Sequence, residues 1–229
     1  MASRVPADRP GWAEVSVGLI VLSVVGFGGG ALIAQLPIEP VVIGLIFTAL
    51  TGVACLVGFC AAFLLRIRSL QAFGVRGASI QWLLLAVVIG LIAFVAKSGA
   101  IVLYIWATGD DTSPQEIYAT GASGGLWTAI LATCFFSFLT PLGEEFLFRG
   151  VVANALLRYG AFVGVVGSAL IFAIFHGINL VFPAALVVGL VAGEVFRRSG
   201  SVWPAVVVHA VVNLPTIPVM LLARAAQSQ

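Results

Sequence analysis

Charge is what this sequence has least of. Its 229 residues include 11 basic and 9 acidic side chains, whereas a soluble domain carries about 25% charged residues. With 61% hydrophobic residues and a mean hydropathy of +1.17, this scarcity excludes a water-soluble globular domain. It calls instead for an integral membrane protein built from several apolar segments. No basic run is interleaved with aromatics, so nucleic acid binding has no support. Cysteine is scarce too: Cys55, Cys60 and Cys134 all lie in apolar segments, without CxxC spacing. They read as small packing residues, not as redox centres or metal ligands. An HExxH helix is absent, as are a soluble domain, a low-complexity stretch and a convincing internal repeat.

What is present is a succession of long apolar runs. They predict an all-α fold, a polytopic membrane helical bundle of about seven or eight transmembrane helices. The expected spans are 15–36, 41–65, 80–106, 126–158, 161–180, 182–198 and 202–222. Residues 1–13 form a polar N-terminal segment and 14–223 a single membrane-embedded domain, with its core part at 124–223. Residues 224–229 are a short tail. The first run is too long for a signal-peptide core and reads as a retained helix. Arg66, Arg68, Arg76, Arg158, Arg197 and Arg198 punctuate alternate connections, whereas the loop at 108–125 carries Asp110, Asp111 and Glu116. The positive-inside rule places the former in the cytoplasm and the latter outside, with Arg4 and Arg9 also inside.

Against that sparse background, Glu144-Glu145-Phe146-Leu147-Phe148-Arg149 packs three charges into six residues of a long apolar run. A charge at membrane depth costs at least a few kcal/mol, and such residues are usually paired, inward-facing and functional. Glu145 and Arg149 are spaced i,i+4 and can pair on a helix. Glu144 projects about 100° further round, so one carboxylate is left available. The run from 126 to 158 has no forced break after Gly143 and predicts one helix of about thirty-three residues, roughly 50 Å long.

The chain has only two histidines, His176 and His209, and both fall in expected spans. Phe172 and His176 share a helical face at i,i+4, as do His209 and Asn213. A hairpin turning near Gly160 puts Glu144 and His176 each about 16 residues, or 24 Å, from the turn. His209 lies only about nine residues, or 14 Å, past its own turn at Gly200, a mismatch of about 10 Å. Elsewhere, Gly189 and Gly193 have the spacing of helix packing, and Glu194 can pair with Arg197 or Arg198. Ser168 lies two turns from His176 but has no arrangement that marks a nucleophile.

The sequence Glu144-Glu145-x-x-x-Arg149, then Phe172-x-x-x-His176, then His209-x-x-x-Asn213 resembles the three motifs of the CAAX prenyl protease and bacteriocin-processing family, also called Abi proteins. All three appear in order in the last four spans; the first three spans match only in being hydrophobic. The resemblance implies an integral membrane endopeptidase, in a bacterial or archaeal cell membrane, with its site open toward the cytoplasm. The partners implied are a peptide or a prenylated or otherwise lipidated protein substrate and the lipid bilayer. Its catalytic residues would be Glu144, Glu145, Arg149, His176, His209 and Asn213, with Phe172 lining the site.

The chemistry of these side chains suits hydrolysis without a covalent step. A carboxylate in an apolar cavity suits a general base acting on water. His209 and Asn213 can stabilise an oxyanion from one face. No cofactor is expected on this reading. The alternative is a zinc-dependent peptidase with Glu144, His176 and His209 as ligands. A third possibility is a catalytically silent membrane scaffold or immunity protein.

Overall fold

A computed structural model describes residues 9–227, so the start of the polar N-terminal segment, with Arg4, lies outside the described residues. The protein is all-α, with no strand among the described residues. Its helices are α1 Trp12–Ile33 and α2 Pro40–Leu65. Next come α3 Ile80–Thr108, the short α4 Glu116–Ala122, and α5 Leu126–Tyr159. The last are α6 Val163–Phe175, α7 Val181–Ser199, α8 Val202–Asn213 and α9 Thr216–Gln227. Five helices are long and apolar enough to cross a membrane, with α8 and α9 together forming one of them. The seven expected segments all fold as helix, but α6 is too short to meet that measure and α7 is not among the five.

Two expectations about local structure need correction. The acidic connection before α5 is not a plain loop, because it holds α4, which packs against α2. His176 does not lie inside a helix either: α6 ends at Phe175, His176 caps it, and Gly177 turns the chain at φ +83°. Asn179 fixes that turn, its side chain donating to the His176 carbonyl (2.9 Å) and accepting from the Val181 amide (2.8 Å). The helix restarts at once, with Pro183 in its first turn, where a missing N–H costs nothing. Pro215 has the opposite effect, since it falls in the break between α8 and α9.

The long α5 is continuous but not uniformly α-helical. Pro141 lies in its interior, and the turn before it, Phe135–Leu139, widens to a π-helix. Such a local adjustment lets a helix carry a proline without breaking. A second π-helical stretch, Phe146–Ala153, comes directly after the two glutamates. Gly143, just before them, meets Gly52 of α2 backbone to backbone; a Cβ on Gly143 would run into the Gly52 carbonyl. Small residues allow this approach in a bilayer, where packing and not water expulsion joins helices.

Around this contact lies the main core. Leu147, Val151 and Val152 of α5, Ala54 and Ala62 of α2, and Phe73 from the 66–79 connection have no solvent exposure.

Candidate active site

Glu144 and Glu145 are both buried, at 2% and 0% exposure. Glu145 touches an arginine and a histidine. Its Oε2 lies 2.9 Å from Arg149 Nε, while its Oε1 lies 2.8 Å from His209 Nδ1. The arginine contact is off the hydrogen-bond line, so it is held by charge more than by an aligned N–H. Arg149 is itself fully buried. One terminal nitrogen reaches the Val188 and Gly189 carbonyls at 3.5 and 3.4 Å, and its guanidinium sits 4.8 Å from the centre of the Phe172 ring. A buried ion pair is costly to break, because removing one partner strands the other charge.

Glu144 is arranged differently. Its Oε2 has no hydrogen-bond partner in the protein. Two imidazoles face it instead: His176 Nε2 is 3.7 Å from Oε1, and His209 Nε2 is 3.7 Å from Oε2. Those gaps exceed a direct hydrogen bond. The His176 Nδ1 lies 2.8 Å from the Phe172 carbonyl, which can only accept, so Nδ1 carries a proton. The ring is thereby oriented with Nε2 toward Glu144.

Phe172 is the hub of the aromatic packing. Its ring contacts Phe148 edge-on at 5.0 Å, His176 at 4.5 Å and His209 edge-on at 5.9 Å between centroids. Both imidazoles and the guanidinium are thus held against a single aromatic face or edge.

Residue counting puts His209 about 10 Å out of level; the structure closes that gap. The turn at 199–201 is drawn into the protein, where Ser201 and Val202 are buried. The 70–76 segment lies over it, with the Val202 amide donating to the Gly74 carbonyl at 3.0 Å. α8 therefore starts below the bundle's end and carries His209 to the depth of Glu144. Asn213, one turn on, donates to the Phe136 carbonyl at 3.1 Å. Phe136 belongs to the first π-helical turn of α5. One amide hydrogen of Asn213 is thereby committed and a second remains for another acceptor.

A cavity of about 470 Å³ opens onto Glu144, His176, His209 and Asn213. Its wall is mostly apolar, with Phe27, Phe148, Phe172 and Phe175 among its lining residues. Several wall residues carry no sequence signal. Lys97 of α3 lines the cavity and bonds the Val212 carbonyl (3.3 Å) and the Thr216 hydroxyl (3.1 Å), bridging the break between α8 and α9. Asn179 and Phe136 also escape sequence reasoning, since both act through partners distant in sequence or through an irregular turn. Ser168 bonds the Val165 carbonyl of its own helix (3.1 Å) and does not line the cavity. Cys55 is buried at the cavity wall, and Cys60 and Cys134 are exposed; none of the three forms a disulfide. Among the described residues, no group of three or more His, Cys, Asp or Glu side chains has the spacing of a metal site.

A multi-helix membrane protein with two carboxylates, two imidazoles and an arginine buried around an apolar cavity is the class that fold and site define. Residues 125–215 match the family model of the Rce1-like type II CAAX prenyl endopeptidases, and that segment of the chain is similar to these proteins. The match spans α5 through α8, the part of the chain that supplies Glu144, Glu145, Arg149, His176, His209 and Asn213. No curated protein and no solved structure matches the chain.

Proposed function

We propose that the protein is an intramembrane endopeptidase in which Glu144 activates water. The observation that carries this reading is the unpartnered Glu144 oxygen, set in a cavity wall and faced by two imidazole nitrogens at 3.7 Å. A water between Glu144 and His176 gives one proton to the carboxylate, and its oxygen adds to the peptide carbonyl carbon. The carbonyl oxygen becomes an oxyanion. The free amide hydrogen of Asn213 and His209 Nε2 then lie on one helical face to receive it. Collapse of the tetrahedral adduct breaks the C–N bond, and Glu144 returns its proton to the departing amine. No covalent enzyme intermediate is required.

His209 can donate from Nε2 only when its ring carries both protons, since Nδ1 already faces Glu145. In that state Glu144, Glu145, Arg149 and His209 sum to zero charge. Balanced charge suits a buried cluster. Glu145 and Arg149 act as positioning residues and do not touch substrate.

The substrate class is a peptide or a lipid-modified protein segment, which the aromatic and aliphatic cavity wall can accommodate. The alternative of a zinc peptidase would use the same Glu144, His176 and His209 as ligands, although among the described residues they do not have the spacing of a metal site. The direct test compares membrane-associated peptides in cells producing the wild-type chain or Glu144→Gln at equal abundance. Peptides that appear only with the wild-type protein support hydrolysis. Identical peptide profiles would leave a non-catalytic scaffold as the better description.

A further inference from the structure

Lys97 is the only lysine in the chain, and with Arg149 it is one of two basic residues set deep within the long helices. The two are treated differently. Arg149 is matched by Glu145 at 2.9 Å. Lys97 instead turns its ammonium inward onto the break between α8 and α9, donating to the Val212 carbonyl (3.3 Å) and the Thr216 hydroxyl (3.1 Å). The Phe94 ring centre lies 5.6 Å away. All three partners are neutral, and among the described residues no carboxylate pairs with the ammonium. The Val212 carbonyl lies in the last turn of α8, where helix carbonyls lose their intrahelical partner, so Lys97 serves as a cap. A cap does not require a charge, however. A charge at membrane depth costs at least a few kcal/mol, and such residues are usually paired. The unmatched cation is the feature that capping leaves unexplained.

Lys97 and Thr216 both line the cavity that holds Glu144 and Asn213. Two of the three ammonium hydrogens are committed and a third remains. Thr216 accepts from Lys97 and keeps its own hydroxyl hydrogen to donate. Two donors therefore converge on the cavity with one positive charge, which balances one negative charge. That balance fits a carboxylate better than a phosphate group, whose charge is close to two. Thr216 follows Asn213 by three residues, so this point lies about 5 Å beyond the proposed oxyanion donor. One or two residues of extended peptide, at roughly 3.3 Å each, cover that distance. Lys97 belongs to α3, outside the matched segment 125–215.

We propose that Lys97, with Thr216, is a specificity residue that receives a carboxylate of the substrate, one or two residues from the bond that is cleaved. The position relative to that bond rests on the peptidase reading; the preference for a carboxylate in the cavity does not.

The test compares three probes built on one N-dodecanoyl apolar tripeptide. The first ends in a free carboxylate, the second in an amide, and the third in an amide after a final glutamate. Dissociation constants are measured on the full chain in uncharged detergent, with Glu144→Gln throughout so that no probe is consumed. A carboxylate probe should bind about 10- to 100-fold more tightly than the plain amide. Preference for the free acid assigns the carboxylate to a chain terminus, and preference for the glutamate probe assigns it to a side chain. Lys97→Gln, which can still cap Val212, should erase the preference, and Lys97→Arg should keep part of it. Equal or absent binding of all three probes to the chain that retains Lys97 overturns the proposal, and this comparison stands even where Lys97→Gln does not fold. A preference unchanged in Lys97→Gln overturns it too. Cleavage is scored separately on the chain that retains Glu144. A Lys97-dependent preference without cleavage counts against the peptidase reading and leaves this one standing, whereas cleavage of all three probes with no preference does the reverse.

Discussion

His209 Nδ1 lies 2.8 Å from Oε1 of Glu145. The second glutamate, one residue from the proposed base, is thus a bracket joining α8 to α5, with Arg149 on its other oxygen. Glu144 and Glu145 are adjacent in sequence, yet the first faces the cavity and the second holds the framework.

Arg149→Ala should destabilise the fold more than it alters the chemistry. It strands Glu145 in a site with no solvent, a loss of about 3–5 kcal/mol. The double variant Glu145→Gln/Arg149→Met removes both charges and should recover part of that stability. Thermal unfolding in detergent reads both effects. An Arg149→Ala protein as stable as wild type contradicts a buried, energetically coupled pair.

Glu144→Gln keeps the shape of the side chain and removes its ability to accept a proton. Cleavage should fall by about 100- to 10,000-fold, with the melting temperature unchanged or raised. Asn213→Ala removes the proposed oxyanion donor and should cost about 100- to 1000-fold in rate. Because Asn213 also bonds Phe136 across to α5, its melting temperature should fall as well. Equal rates for Glu144→Gln and wild type would sink the water-activation mechanism.

Chelation separates the two hydrolytic readings. Purified protein treated with a strong chelator should retain full peptide cleavage if Glu144 acts directly. Activity that disappears and returns with added zinc assigns Glu144, His176 and His209 as ligands instead.

Gly143→Val inserts a branched side chain where α5 and α2 meet backbone to backbone. The helices must separate, at a cost of about 1–3 kcal/mol, and Glu144 moves with them. Both stability and turnover should drop together, measured by unfolding and peptide cleavage on one preparation. A stable but inactive variant points away from simple overpacking.

Much of this architecture can be read from the chain because lipid demands long apolar segments and penalises stray charge. The 34-residue α5 and the Glu145–Arg149 pairing come directly from those two rules. So does the equal depth of Glu144 and His176, which end 3.7 Å apart. The features that escape the sequence depend on irregular backbone. The buried turn before α8, which sets the depth of His209, has no hydropathy signature. Asn179 shapes the cap at His176 through local bonds that many loop asparagines could make. Lys97 gains a role only when α8 and α9 are seen to break beside it. The short α4 hides in a connection whose acidic residues suggest only solvent.

The wide turns of α5 carry a further implication, for insertions and deletions. A π-helical stretch holds an extra residue relative to ordinary α-helix, and each residue rotates the downstream helix by about 100°. Removing one residue from the start of Phe146–Ala153 shortens the helix by about 1.5 Å and rotates Arg149 away from Glu145 and Phe172. Side-chain exchanges in this stretch alter local fit, whereas a single-codon deletion changes the spacing of Arg149 from Glu145 on the helix. Length between Glu145 and Asn154 should therefore be more tightly constrained than composition.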